Sequence, residues 1–184
     1  MPRTDRKPSP LDDKRLEELA LSYVARFATT RAKLEAYLIR KLRERGWDGE
    51  EMPNAAALSC RFAEAGYVDD AVYARMKSDS LLRRGYGGRR VGEALRAAGV
   101  EEAVRVDVAP DAGMARQSAV ALARRRRFGP WHDPLPDRPL RDKQVAAMLR
   151  AGHTLDNARR IVESTTIAAL EEWLESAQGD DLCD

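Results

Sequence analysis

Aromatic residues are scarce in this 184-residue chain, at 6%, and sheet proteins draw heavily on aromatic and β-branched residues. So small a share points away from a β-sandwich or barrel. Cysteine is scarcer still. Cys60 and Cys183 are the only two, too few for a disulfide framework and without metal-ligand spacing. The only histidines, His132 and His153, fall in a proline-rich stretch and at an expected helix boundary. Neither has a Cys or carboxylate at ligand spacing, so no metal site is expected. No apolar run approaches the length of about eighteen residues that a membrane-spanning helix needs. The opening segment, from Met1 to Pro8, lacks the apolar stretch of a secretory signal. A cytoplasmic protein without membrane association is expected. The chain has no G-x-x-x-x-G-K-[ST] loop, no G-x-S-x-G elbow and no H-E-x-x-H pair. No catalytic residue, no cofactor and no enzymatic activity are therefore expected.

What the chain has is alanine, at 29 positions, and charge, at 34% of residues. Both suit helices with much exposed surface. The net charge of +2 hides an asymmetry. Residues 171–184 carry Glu171, Glu172, Glu175, Asp180, Asp181 and Asp184 and no cation, which leaves residues 1–170 at +8. A basic body attracts polyanions, and an acidic tail competes for the same surface; this tail is expected to be loosely held. Of the cations, 26 are Arg and 6 are Lys. Arginine suits bidentate phosphate and carboxylate contacts, although a GC-rich genome produces the same bias.

One unit recurs. Leu42-Arg43-Glu44-Arg45-Gly46 returns as Leu95-Arg96-Ala97-Ala98-Gly99 and again as Met148-Leu149-Arg150-Ala151-Gly152, with the glycines 53 residues apart each time. Each glycine follows the last apolar position of an amphipathic run and reads as a helix C-cap. A helix precedes each of these, marked in the first unit by Leu16, Leu19, Tyr23 and Phe27, and a short helix follows. Asp69 and Thr154 are expected caps. Val104, Val106 and Val108 alternate like a strand, but their place in the repeat favours helix. The reading is an all-α fold of three tandem three-helix, helix-turn-helix-like repeats in an elongated array: a tail at 1–12, repeats at 13–66, 67–109 and 113–165, and a C-terminal helix with acidic tail at 166–184. Tyr23, Phe27, Leu34, Leu38, Phe62, Tyr73, Leu95 and Leu149 are the expected core. Trp47 and Trp131, near helix ends, are candidates to cover junctions between repeats.

Gly66-Tyr67-Val68-Asp69-Asp70-Ala71-Val72-Tyr73-Ala74, followed by Arg84-Gly85-Tyr86-Gly87-Gly88-Arg89-Arg90-Val91 and Leu95-Arg96-Ala97-Ala98-Gly99-Val100, resembles the central segment of the RecX family, bacterial regulators of the RecA recombinase. Thr30 to Trp47 and Lys143 to Gly152 support the resemblance, which covers roughly residues 14–165. Three features depart from the family pattern. The helix from Leu34 to Gly46 is one turn longer, Gly88 stands where proline is common, and His153 stands where an aromatic is often found. The resemblance implies tandem three-helix repeats and a non-enzymatic role: binding the RecA–DNA filament and modulating, mainly inhibiting, strand exchange, ATP hydrolysis and coprotease activity. It leaves open whether single- or double-stranded DNA is touched directly. A monomer is expected.

Three basic clusters are candidate partner- or DNA-binding sites. Arg83, Arg84, Arg89 and Arg90 bracket the Gly85-Tyr86-Gly87-Gly88 turn, where a helix start offers backbone N–H groups to anions and Tyr86 offers a ring. The alternative is a plain turn with solvated cations. Arg124, Arg125, Arg126 and Arg127 form the densest run; a solvated face is the ordinary reading of such a run, and this crowding of like charge strengthens the case for a polyanionic partner. Lys41 and Arg43, with Arg40 and Arg45, form a third patch that equally reads as the polar side of an amphipathic helix. Two rival functions remain: a free-standing helix-turn-helix DNA reader inserting Arg89 to Gly99 in the major groove, and a helical-repeat adaptor for another partner.

Overall fold

The computed structural model describes residues 9–179 and is all-helical. The ten α-helices are α1 (Asp13–Val24), α2 (Arg31–Arg45), α3 (Ala55–Glu64), α4 (Asp70–Arg83), α5 (Gly88–Ala97), α6 (Glu102–Asp107), α7 (Ala112–Arg126), α8 (Arg138–Arg150), α9 (Leu155–Glu163) and α10 (Ala168–Gly179), with one 3-10 turn at Gly129–Trp131. The valine alternation around residue 106 belongs to α6, whose Val106 is 66% exposed. None of these helices is long and apolar enough to cross a membrane.

Helix starts follow local chemistry. Asp12, Thr30, Asn54, Asp69, Asp111, Asp137 and Thr154 each accept a hydrogen bond from the backbone N–H three residues on, at 2.7–3.3 Å. Each such cap contributes about 1 kcal/mol. Helix ends follow glycine: Gly46, Gly99 and Gly152 have φ of 81°, 74° and 96°, where a side chain would be strained.

The described chain forms two compact units, and the division falls inside α4. One comprises Met1–Tyr73 with Ala98–Val100, the other Ala74–Ala97 with Glu101–Asp184. In the first, α1, α2 and α3 close around Leu16, Leu34, Leu38, Leu58 and Phe62, with Leu11 added by a bridge to Trp47. Thr30 both caps α2 and donates to the Ala98 carbonyl at 2.5 Å. Asp70 accepts from the Arg31 N–H at 2.8 Å. Phe27, expected in the core, is 56% exposed. Helix α1 ends at Val24, so the apolar spacing in the sequence continues past the point where the helix stops.

In the second unit the core gathers Leu122 and Ala119 of α7, Met148 of α8, Ile161 and Val162 of α9 and Leu170 of α10. The two tryptophans near helix ends pack on their own unit's core, Trp47 in the first and Trp131 in the second. Helix α10 docks on α7: Leu170 is buried, and the Arg116 guanidinium donates to the Trp173 carbonyl at 2.9 Å and lies over its ring at 5.0 Å. Glu171, Glu172 and Glu175 thus stand on a packed helix rather than a loose tail; Asp180, Asp181 and Asp184 lie outside the described residues.

Candidate partner-binding surface

The turn after α4 holds two glycines, Gly85 and Gly87, that let backbone meet backbone. A Cβ on Gly85 would stand 2.9 Å from the Leu122 backbone of α7, and one on Gly87 would stand 2.2 Å from the Gly152 carbonyl oxygen. Gly87 N–H donates to the Ala151 carbonyl at 2.9 Å, and Arg89 N–H to the Gly152 carbonyl at 3.3 Å. The Arg89 guanidinium donates to the Leu149 carbonyl at 2.7 Å. His153 Nε2 lies 3.1 Å from the Gly85 carbonyl and therefore carries the ring proton, since a carbonyl only accepts. Burial holds the His153 imidazole below its ordinary pKa, and this bond pulls partly the other way.

This joint corrects one expectation. The N–H groups of Gly87 and Arg89 at the start of α5 are satisfied by the carbonyls of Ala151 and Gly152 and do not form an anion site.

The bracketing arginines divide into two kinds. Arg89 and Arg90 both face Glu93, at 3.9 and 3.1 Å, so part of their charge is neutralised. Arg83 is exposed and makes no ion pair with a described residue. Arg84 is also exposed and stacks over Tyr86 at 5.3 Å, an arrangement worth about 0.5–1 kcal/mol at a surface. Arg84, Tyr86, Arg90 and Glu93 share a groove of about 510 Å³ with Lys77 and Leu81. Three cations there meet one carboxylate.

Arg124, Arg125, Arg126 and Arg127 are all exposed, and none makes an ion pair among the described residues. They close α7, where positive charge complements the helix dipole. Arg127 itself adopts a left-handed conformation, φ 56°, as the helix cap. The contact of Gly85 with Leu122 sets the turn carrying Arg83 and Arg84 against α7 two residues before this run. Arg83 also shares a groove with Ala121. Clusters about forty residues apart in sequence therefore converge in one unit.

The patch on α2 is different. Lys41 donates to Glu44 at 2.5 Å, Arg40 lies 3.6 Å from the same carboxylate, and Arg45 donates to the Ser9 carbonyl at 2.8 and 3.0 Å. The Lys41 bond, aided by both positive charges, lowers the pKa of Glu44. Arg43 is exposed without an ion pair among the described residues. A fourth basic region has little signature in the sequence: Arg138, Arg141 and Arg159 line a groove of about 620 Å³ between α8 and α9 with Asp142 and Glu163. Its cations are spread over two helices and form no run; only the i, i+3 spacing of Arg138 and Arg141 hinted at a shared face.

No protein-family model matches the chain. It is 31% identical over 172 residues to the regulatory protein RecX of Myxococcus xanthus (strain DK1622), spanning 89% of this chain and 90% of that relative. It is 35% identical over 162 residues to the regulatory protein RecX of Mycobacterium sp. (strain JLS), spanning 84% and 86%. It is 32% identical over 145 residues to that of Halorhodospira halophila (strain DSM 244 / SL1), spanning 78% and 84%.

Proposed function

We propose a docking function for this chain, which belongs to the RecX family of regulatory proteins: it binds the RecA–DNA filament and restrains strand exchange, ATP hydrolysis and coprotease activity. It does so as a cytoplasmic monomer of three helical repeats, without catalytic chemistry of its own. The observation that carries the reading is the convergence of Arg83 and Arg84 with the 124–127 run through the Gly85–Leu122 contact. Six guanidiniums without ion pairs among the described residues, presented by one unit, suit a surface dense in phosphate and carboxylate. Tyr86 adds a ring, and the groove beside it gives an extended backbone somewhere to lie. Lys41 and Arg43 contribute at most a weaker, separate contact, and several such patches together gain by avidity.

The test is RecA strand exchange and single-strand-dependent ATPase with and without substoichiometric protein. Inhibition well below one protein per RecA supports the reading. Normal rates at equimolar protein, with the helical spectrum intact, contradict it. Sequence-selective binding to naked duplex would instead support the transcription-factor alternative.

A further inference from the structure

We propose that the groove between α4 and α5 in the second unit takes an acidic peptide segment of the partner, with an alkyl side chain seated between its carboxylates. This role rests on the docking function above and names what the groove meets there: protein, not nucleic acid. The groove has a volume of about 510 Å³. Lys77, Leu81 and Arg84 follow at i, i+4 and i+7 along α4 and just past its end, and Arg90, Glu93, Ala94 and Ala97 line the α5 side.

Charge is the first pointer to the occupant. Lys77 is half-buried and makes no ion pair or hydrogen bond with a described residue. A cation partly withdrawn from water and without a counter-ion suits a carboxylate, because the lower local dielectric strengthens their bond. Arg84 is a second cation without an ion pair among the described residues, whereas Arg90 is turned to Glu93 at 3.1 Å. Seven helical residues place Lys77 and Arg84 about 10 Å apart along the axis, the span of about three residues of extended chain. Two carboxylates at that spacing answer both cations.

The lining between those cations is the second pointer. Leu81, Ala94 and Ala97 are apolar, and the two alanines are small enough to leave room for an alkyl side chain, whose burial a wholly polar ligand would forgo. A nucleic-acid strand fits less well on two counts. It carries a phosphate at every nucleotide and so also meets Glu93. Its bases gain by stacking on aromatic faces, and the Tyr86 ring already carries Arg84 over it at 5.3 Å. A peptide spaces its carboxylates around an apolar residue and meets neither obstacle.

The probes are two acetylated and amidated peptides, Asp-Asp-Leu-Asp-Asp and Asp-Asp-Ser-Asp-Asp, and a short oligothymidylate, each titrated into the full chain at about 0.1 M salt and followed by amide NMR. The leucine peptide is expected to bind saturably, with shifts centred on residues 77–97, and about tenfold more tightly than the serine peptide. Lys77→Gln should weaken it about fivefold and Glu93→Gln should tighten it. Lys143→Gln, which removes an exposed cation of α8 outside the groove, should leave it unchanged. Equal binding of the two peptides, shifts centred elsewhere, a Lys77→Gln variant of wild-type affinity, or oligothymidylate binding in the groove more tightly than the leucine peptide each overturns the proposal. The RecA assay separates the groove from the docking function. Inhibition without peptide binding in the groove overturns the groove's role alone. Peptide binding without inhibition supports an acidic-peptide site and contradicts filament docking.

Discussion

Arg127 shows how one residue serves two demands that conflict. It caps α7 in a left-handed conformation that costs a residue with a Cβ about 1 kcal/mol or more. Glycine would relieve that strain while removing one of the crowded charges. Arg127→Gly should therefore raise the melting temperature by about 1–3 °C yet weaken binding to the filament. A lower melting temperature would show that the cap is not strained, and unchanged binding would remove Arg127 from the surface. His153 offers a second residue-scale test. Its folded pKa lies below the ordinary 6.5 because burial disfavours the cation. As pH falls, the unfolded chain takes up the proton first, so stability is full above about 6.5 and declines below it towards the folded pKa. His153→Gln keeps a donor for the Gly85 carbonyl but does not titrate. Urea midpoints at about pH 7.5 and pH 5 should lie closer together in this variant than in the wild type; an equal gap would mean His153 stays solvated when charged.

Among helices, α5 stands apart, because another turn's backbone closes its start. The contrast between Gly87, which immediately precedes it, and Gly92 within it follows directly. A Cβ at Gly87 would collide with the Gly152 carbonyl oxygen and carbon and with the His153 nitrogen, at 2.2, 2.3 and 2.5 Å. These are backbone atoms that cannot swing aside. Gly87→Ala should cost about 3 kcal/mol or more, whereas Gly92→Ala, which meets nothing, should gain up to about 1 kcal/mol. Chemical unfolding of the two variants checks this; similar stabilities would mean the α5 joint is loose. The helices themselves were legible because their punctuation is local: Asp69 and Thr154 bond the N–H three residues on, and Gly46, Gly99 and Gly152 lie at positive φ. The closure of α5 was not legible, since it joins backbone groups about sixty residues apart and uses no side-chain pattern. Phe27 misled for a related reason: spacing alone does not reveal that α1 has ended at Val24.

On the scale of the whole molecule, the net charge of +2 says less than which charges remain available. The sequence displayed every arginine in the candidate surface, yet it did not distinguish Arg89 and Arg90, which share Glu93, from Arg83 and the 124–127 run, which have no such partner among the described residues. Nor did it show that Gly85 brings the two clusters onto one unit. Pairing matters because an arginine already facing a carboxylate gives up that attraction when it turns to a phosphate. The central claim is that the unpaired arginines, not the paired ones, hold the partner. Its most direct test is the salt dependence of binding to RecA–DNA filaments for two variants of unchanged helical content: one with Arg83, Arg84, Arg124, Arg125 and Arg126 changed to alanine, the other with Arg89 and Arg90 changed. The first should bind much more weakly at low salt and show a clearly flatter slope of log affinity against log salt, by up to about one unit per lost contact; the second should stay near the wild-type line. A flattened slope in the second variant, with the first unchanged, would contradict the account.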